Sequence, residues 1–435
     1  MAEKINKLSD VYGNSRNIPL TYQERNDVDN RFVNDLTREK HIILHGGSKQ
    51  GKTSLRKSVL KEEEYIVIQC TRDTTRLMLY EMILKKAGID YEVSRSITTK
   101  GTNKLTVKIS GEGKIPFLTK LSADTTGDFS KEKGNTTNYK RLDIDADDPN
   151  DIVRVLKAAG FSKYVVIEDF HYLDEDVQSS FAFDLKVFHE TSDLVFIIVG
   201  VWQESNRLIM YNGDLTGRVT NINVDAWSDP DLRKVIENGE PLLNIDFPDK
   251  VKESIISISQ DNVGLLQEIC YRICEKNNVW RTLDDHTQIG SEEEVVEIAK
   301  LISDDQAARY RNFMVKFSEG LSITELEMYK WIIYAVVHCD TQDLRNGVTP
   351  GKLFNIIRPN HPKKSTLQLN NLLSALERVQ TVQFKHKLQP LILDFSNNNL
   401  FVVDANFLVY LNTHNTEELL ESIGLGNSDQ NNDRR

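Results

Sequence analysis

Eight consecutive residues, Gly46, Gly47, Ser48, Lys49, Gln50, Gly51, Lys52 and Thr53, satisfy the spacing G-x-x-x-x-G-K-[ST] completely. Such a loop turns backbone N–H groups inward around phosphate oxygens, and glycine lets the backbone approach that closely. The positive end of a following helix adds attraction for the anion. In that geometry Lys52 reaches the β- and γ-phosphates of a nucleotide, and the Thr53 hydroxyl binds Mg²⁺. Ser54 extends the cradle into the helix.

A phosphate loop needs a second, acidic site to hold the metal and orient water. The segment YVVIEDFHYL (164–173) supplies one: four apolar residues end in Glu168 and Asp169. Carboxylates placed there stand at the C-terminal edge of a buried strand, where open α/β sheets bind ligands. Two solvated acids ending a strand are the plain alternative. His171, just beyond, reads as a hydrogen-bonding structural residue rather than a proton shuttle.

The elements that must position these groups are legible around them. HIILH (41–45), YIVIQC (65–70), YVVI (164–167) and LVFIIVGV (194–201) are apolar strand runs, and helix patterns cover 75–87, 148–160 and 176–190. Buried strands alternating with helices predict an α/β class fold, a parallel sheet covered on both faces. Residues 89–147 are rich in Thr, Ser, Gly and Lys and read as a partly mobile insertion. From 228 the pattern turns helical, and beyond 319 it reads helix, helix, helix, hairpin, the order of a winged helix. The expected organisation is a core at 1–227 with an insertion at 89–147, a helical lid at 228–318, a winged-helix domain at 319–415, and a disordered tail at 416–435.

Composition narrows the class. The 435 residues carry a net charge of −11, which excludes a uniformly basic nucleic-acid coat but not a local patch. Residues 320–411 hold nine Lys and Arg against seven Asp and Glu, and Lys363, Lys364, Lys385 and Lys387 flank the third helix and the hairpin. They could meet the phosphates of double-stranded DNA; protein contact through the same domain is equally open. Cys70, Cys270, Cys274 and Cys339 form no CxxC pair, so a reducing cytoplasm is expected, with Cys270 and Cys274 as small buried hydrophobes. The apolar run at 195–202 is too short for a membrane span. No HExxH, GxSxG or zinc-spaced Cys/His set marks a further enzymatic domain.

The two nucleotide motifs and the strand LVFIIVGV together resemble the AAA+ P-loop ATPases. The helical lid and terminal winged helix are similar to three branches: origin-recognition initiators, ATP-dependent transposition regulators and STAND signalling ATPases. The resemblance spans roughly residues 18–413 apart from the insertion. It implies a P-loop NTPase sheet with a lid, ATP and Mg²⁺ as cofactors, and ATP hydrolysis. It also implies a homo-oligomer whose ATP state controls engagement of DNA or a partner effector protein, in mobile-element control or anti-phage defence. An adaptor that binds ATP and signals without hydrolysis is the alternative.

The resemblance also assigns residues. PLTYQER (19–25) resembles the segment that lies over adenine, which points to Arg25. In VGVWQESNRL (199–208), Gln203 resembles the polar sensor of the γ-phosphate, with Trp202 the neighbouring possibility. Arg218 in GDLTGRV (213–219) resembles the arginine finger that completes a neighbour's site, a structural ion pair being its alternative. Two departures stand out. The acidic pair runs Glu-Asp where Asp-Glu is usual, so the resemblance implies that Glu168 attends Mg²⁺ and Asp169 orients the water; the shorter Asp169 reaches less far, which predicts slow hydrolysis. The lid segment DNVGLLQ (261–267) lacks the Arg of a second sensor, leaving Arg272 as a substitute.

Overall fold

The computed structural model describes residues 5–13, 17–92, 104–110, 139–145, 147–203, 206–225, 227–322 and 324–426. Its strands in chain order are β1 His41–His45, β2 Tyr65–Gln69, β3 Asp90–Glu92, β4 Lys104–Ser110, β5 Tyr139–Asp145, β6 Tyr164–Glu168, β7 Phe196–Val199 and β8 Val219–Asn223. Four short ones follow: β9 Ile245–Asp246, β10 Thr287–Gln288, β11 Leu393–Ser396 and β12 Asn399–Val402.

The central sheet has five parallel strands in the order β2-β6-β7-β1-β8. Side chains alternate between its faces, as the period of a strand requires. Ile43, Ile68, Ile167, Phe196 and Ile198 face one cluster, covered by helices Arg76–Lys86, Pro149–Ala158 and Glu175–Thr191. Ile42, Leu44, Val166, Ile197 and Ile222 face the other, covered by helices Asn26–Leu36 and Lys52–Val59. Both faces are dry, so β1 is buried at every position. Truncating a side chain such as Phe196 to Ala in this packing costs about 3–5 kcal/mol. β8 completes the sheet beside β1, although its run VTNIN carries too much polarity to stand out in sequence.

Within the predicted insertion, β3, β4 and β5 form an antiparallel meander whose Val107 and Ile144 join the core cluster. Residues 93–103, 111–138 and 146 of that stretch lie outside the described residues.

Helices Asp229–Leu243, Asp249–Ser259, Val263–Lys276 and Glu292–Asp304 pack around a third cluster, with Cys270 and Cys274 buried in it. The short helix Leu8–Val11 packs there too. The Tyr12 hydroxyl donates to Ile236 O at 2.6 Å, and Gly239 admits its ring: a Cβ would lie 2.3 Å from Cζ. The C-terminal cluster runs from Tyr310 to Ile423 and gathers helices Ala307–Glu319, Met328–His338, Pro350–Asn360 and Leu369–Leu376 around the β11–β12 hairpin. Asn397 and Asn398, at φ 49° and 57°, make its two-residue turn.

One expectation needs correction. The chain does not fray from 416: helix Thr416–Glu421 follows, because Leu419, Leu420 and Ile423 are buried in the C-terminal cluster. Residues 427–435 lie outside the described set. Among the described residues no helix is long and apolar enough to cross a membrane.

Candidate active site

The phosphate loop leaves β1 and enters helix Lys52–Val59 through three left-handed or extended-glycine positions: Gly46 at φ 137°, Lys49 at 60° and Gly51 at 88°. Gly51 is the N-cap and offers no side chain, so the first N–H groups of the helix are left for an anion. A cavity of about 400 Å³ opens in front of it. It is lined by residues 48–54, by Glu168 and Asp169, and by Pro19, Val263 and Gln267. Uncapped amides, a lysine and paired carboxylates in one cleft are the donor set that a Mg²⁺–triphosphate needs.

Lys52 is buried at the first turn of that helix. Its Nζ donates to Gly46 O at 3.0 Å and Gly47 O at 2.5 Å. Burial pushes its pKa down, while the carboxylates of Asp225, Glu168 and Asp169 pull it back. The ammonium is therefore short of solvation and attracted to negative charge.

Glu168 ends β6, paired in register with Gln69 of β2. Its Oε1 meets Arg56 Nη2 at 3.2 Å, and the Arg56 guanidinium lies 4.5 Å above the Tyr65 ring. Burial raises the Glu168 pKa against the pull of Arg56. Asp169 turns the chain at φ 57° into the 3-10 turn Phe170–Tyr172 and accepts a hydrogen bond from Gln69 Nε2. Burial raises its pKa too, with Lys52 opposing.

Some expected residues fall elsewhere. His171 is buried with its ring tilted against Tyr172, centroids 4.2 Å apart, and among the described residues neither ring nitrogen has a hydrogen-bond partner, where hydrogen bonding was expected. Burial holds its pKa down to about 3, and the imidazole stays neutral. Arg25 is 5% exposed; its Nη1 donates to Val224 O at 2.7 Å and its guanidinium lies 3.9 Å above Trp227. It supports the loop from behind, since Trp227 Nε1 in turn donates to Gln50 O at 3.4 Å. Gln203 directs its amide to Asp225 Oδ2 at 2.7 Å, and Trp202 is a core residue stacked with His45. Arg218 precedes β8, at the sheet edge opposite the loop, where it meets Glu190 Oε1 at 2.7 Å. Arg272 is held by Glu268 and Asp305, both at 2.9 Å.

Four further participants emerge, two with no sequence signal, Arg56 and Asp225, and two inside the lid segment 261–267, Asn262 and Gly264. Arg56 neutralises Glu168. Asp225 accepts from Gly47 N–H at 2.7 and 2.8 Å through its two oxygens. Asn262 donates to Ser48 O at 3.0 Å while capping helix Val263–Lys276, and Gly264 N donates to Lys49 O at 3.1 Å. The lid thus touches the loop through one helix start.

Neither a protein-family model nor a curated protein matches the sequence. Solved structures do match it in fold. A Walker-type ATPase of Pyrococcus abyssi is 14% identical, with a TM-score of 0.48 over 92% of this chain and 99% of its own. The ORC1 protein of Aeropyrum pernix, solved in complex with DNA, is 11% identical, with a TM-score of 0.44 over 96% of each chain. The RuvB Holliday junction branch migration motor of Thermotoga maritima is 11% identical, with a TM-score of 0.36 over 87% of this chain and 92% of its own.

Proposed function

We propose that this chain is an AAA+-type ATPase that binds ATP with Mg²⁺ and hydrolyses it slowly to ADP and phosphate. The observation that carries the reading is the uncapped helix start at Gly51, with buried Lys52 facing Glu168 and Asp169 across one cleft. Residues 46–54 cradle the phosphates, and Lys52 leaves the carbonyls of Gly46 and Gly47 to reach them. Thr53 and Glu168 would hold the metal, which would supply charge neutralisation for the phosphoryl group being transferred. Asp169 orients the attacking water and accepts its proton. Pro19, Val263 and Gln267 enclose the remainder of the nucleotide.

Slow turnover has a second support beside the short Asp169 side chain: both carboxylates are already engaged, Glu168 by Arg56 and Asp169 by Gln69. Each must be released or shared before it serves the metal or the water.

Arg218 stands at the edge of the sheet away from its own loop, so it completes a site only in a neighbouring copy. Homo-oligomerisation belongs to the same reading. The output is engagement of duplex DNA or of a protein partner by the C-terminal domain. Around helix Leu369–Leu376 its exposed residues include the polar Lys364, Gln368, Asn370 and Ser374 and the apolar Leu369. Both Lys363 and Lys385 stay at the surface, Lys363 paired with Glu325 at 2.7 Å and Lys385 bonded to Leu321 O. The Glu325 carboxylate offsets one of the basic charges in the sequence count.

The test is direct. Phosphate release is followed with purified protein, ATP and Mg²⁺, and mass is measured with ATP, ADP or no nucleotide, each with and without duplex DNA. Phosphate release that Lys52→Ala abolishes, with assembly following ATP, supports the reading; an oligomeric state indifferent to nucleotide sinks the switch.

A further inference from the structure

Asp225 occupies the side of the phosphate loop turned away from the cleft. Its two oxygens accept the Gly47 N–H at 2.7 and 2.8 Å. The carbonyl of the same peptide unit, Gly46 O, accepts from Lys52 Nζ at 3.0 Å. One peptide plane is thus held by an anion on its N–H and a cation on its C=O. Hydrogen bonds with a charged partner are the stronger class, so this plane is the firmly fixed part of the loop. The fit admits only glycine at Gly46: a Cβ would lie 2.4 Å from Asp225 Oδ1, and the residue is at φ 137°.

The carboxylate is itself placed from two sides. Asp225 N donates to Asn223 Oδ1 at 2.9 Å, and Val224 O is held by Arg25 at 2.7 Å. Gln203 Nε2 donates to Asp225 Oδ2 at 2.7 Å, while Gln203 N donates to Asp394 Oδ2 at 3.3 Å. Asp394, 1% exposed, belongs to β11 of the C-terminal hairpin and also accepts from Gln380 at 2.5 Å and Ser396 at 3.0 Å. Beside this chain, Val403 O would lie 3.3 Å from a Cβ on Gly47. The hairpin is therefore linked to the loop indirectly, through Gln203 and Asp225, and the residue after it, Val403, lies beside Gly47.

We propose that Asp225 is a positioning residue for the phosphate loop, and that Gln203 and Asp394 tie its hold on Gly47 to the C-terminal hairpin. The proposal rests on the reading of 46–53 as an ATP site. Lys52 must leave Gly46 O to meet phosphate; Asp225 then keeps the 46–47 peptide from rotating. The same event relaxes one end of a chain of bonds whose other end is Asp394, so nucleotide occupancy and hairpin mobility become linked.

The test uses the full chain and a fluorescent N-methylanthraniloyl ATP. Asp225→Ala is expected to weaken binding about tenfold or more, and Asp225→Asn, which keeps an acceptor for Gly47, to recover to within about threefold of the native chain. An alanine variant that binds like the native chain overturns the proposal, as does an asparagine variant as weak as alanine. Lys52→Ala separates the two readings: if it binds normally, the ATP site itself is wrong. Asp394→Ala leaves affinity within about threefold but removes the ATP-dependent change in hydrogen exchange at 393–402. A hairpin that still responds overturns the coupling, and this readout decides the matter if Asp225→Ala does not fold.

Discussion

Arg56 and Glu168 form a buried ion pair, Nη2 to Oε1 at 3.2 Å, that joins the phosphate-loop helix to the strand carrying the acidic pair. Their side chains are 4% and 11% exposed. Breaking a buried pair by removing one partner strands the other charge, which is the expensive way to lose it. Arg56→Met is therefore expected to lower stability by about 3–5 kcal/mol, unless Glu168 takes up a proton to compensate. Thermal melting at pH 7 and pH 5 checks this. With Glu168 uncompensated, the deficit is larger at pH 7 and shrinks at pH 5; a deficit independent of pH would mean the pair is not what holds the helix to the strand.

Lys52 and Asp169 separate binding from turnover. Lys52→Ala is expected to abolish ATP binding, because the ammonium is the cation aimed at the phosphates. Asp169→Asn is expected to keep binding and lose phosphate release, which prolongs the ATP-bound assembly. Equilibrium dialysis with labelled ATP and a phosphate-release assay give the two readings. If Asp169→Asn turns over like the native chain, Asp169 does not orient the water.

His41 and His171 predict acid sensitivity. Burial holds His41 down to about 4 and His171 down to about 3. His41 is further committed to one neutral tautomer: Nδ1 accepts from Phe196 N at 3.2 Å, so Nε2 carries the proton toward Leu185 O at 2.9 Å. Both folded-state values lie below those of the unfolded chain. Protons therefore favour unfolding: stability is full above about pH 6.5 and lost as pH falls toward 4 and 3. At pH 5 each histidine accounts for about 2 kcal/mol of loss. Chemical denaturation at pH 7.5 and pH 5 measures it, and His171→Leu, with no hydrogen bond to lose among the described residues, is expected to flatten part of the slope. An unchanged slope in that variant counts against the assignment.

Arg218 makes a prediction about mixtures. It meets Glu190 within its own chain, so its loss leaves the fold and the ATP cleft intact. Arg218→Ala alone and Lys52→Ala alone are each expected to be inactive in phosphate release. Mixed together they are expected to recover part of the activity, because one copy supplies the loop and the other the guanidinium. No recovery at any mixing ratio argues that Arg218 is only an ion-pair residue.

Local pattern was enough for part of this molecule. The glycine and lysine spacing at 46–53 marks the loop because the backbone there must take up left-handed angles that few residues allow, and apolar runs of fixed length mark the buried strands β1, β2, β6 and β7. The acidic pair was legible because it ends such a run. What only the tertiary structure decided is which groups hold those residues. Arg56 and Glu168 are 112 residues apart, Gly47 and Asp225 178, and Gln203 and Asp394 191. No period or spacing encodes these meetings, since each depends on how strands are ordered in the sheet and where the C-terminal hairpin lands on it. The same holds for Arg25 and Gln203: family likeness pointed both at the nucleotide, while packing turned Arg25 onto Trp227 and Gln203 onto Asp225. A side chain's type says what it can bond, but its direction is settled by the neighbours that desolvate it.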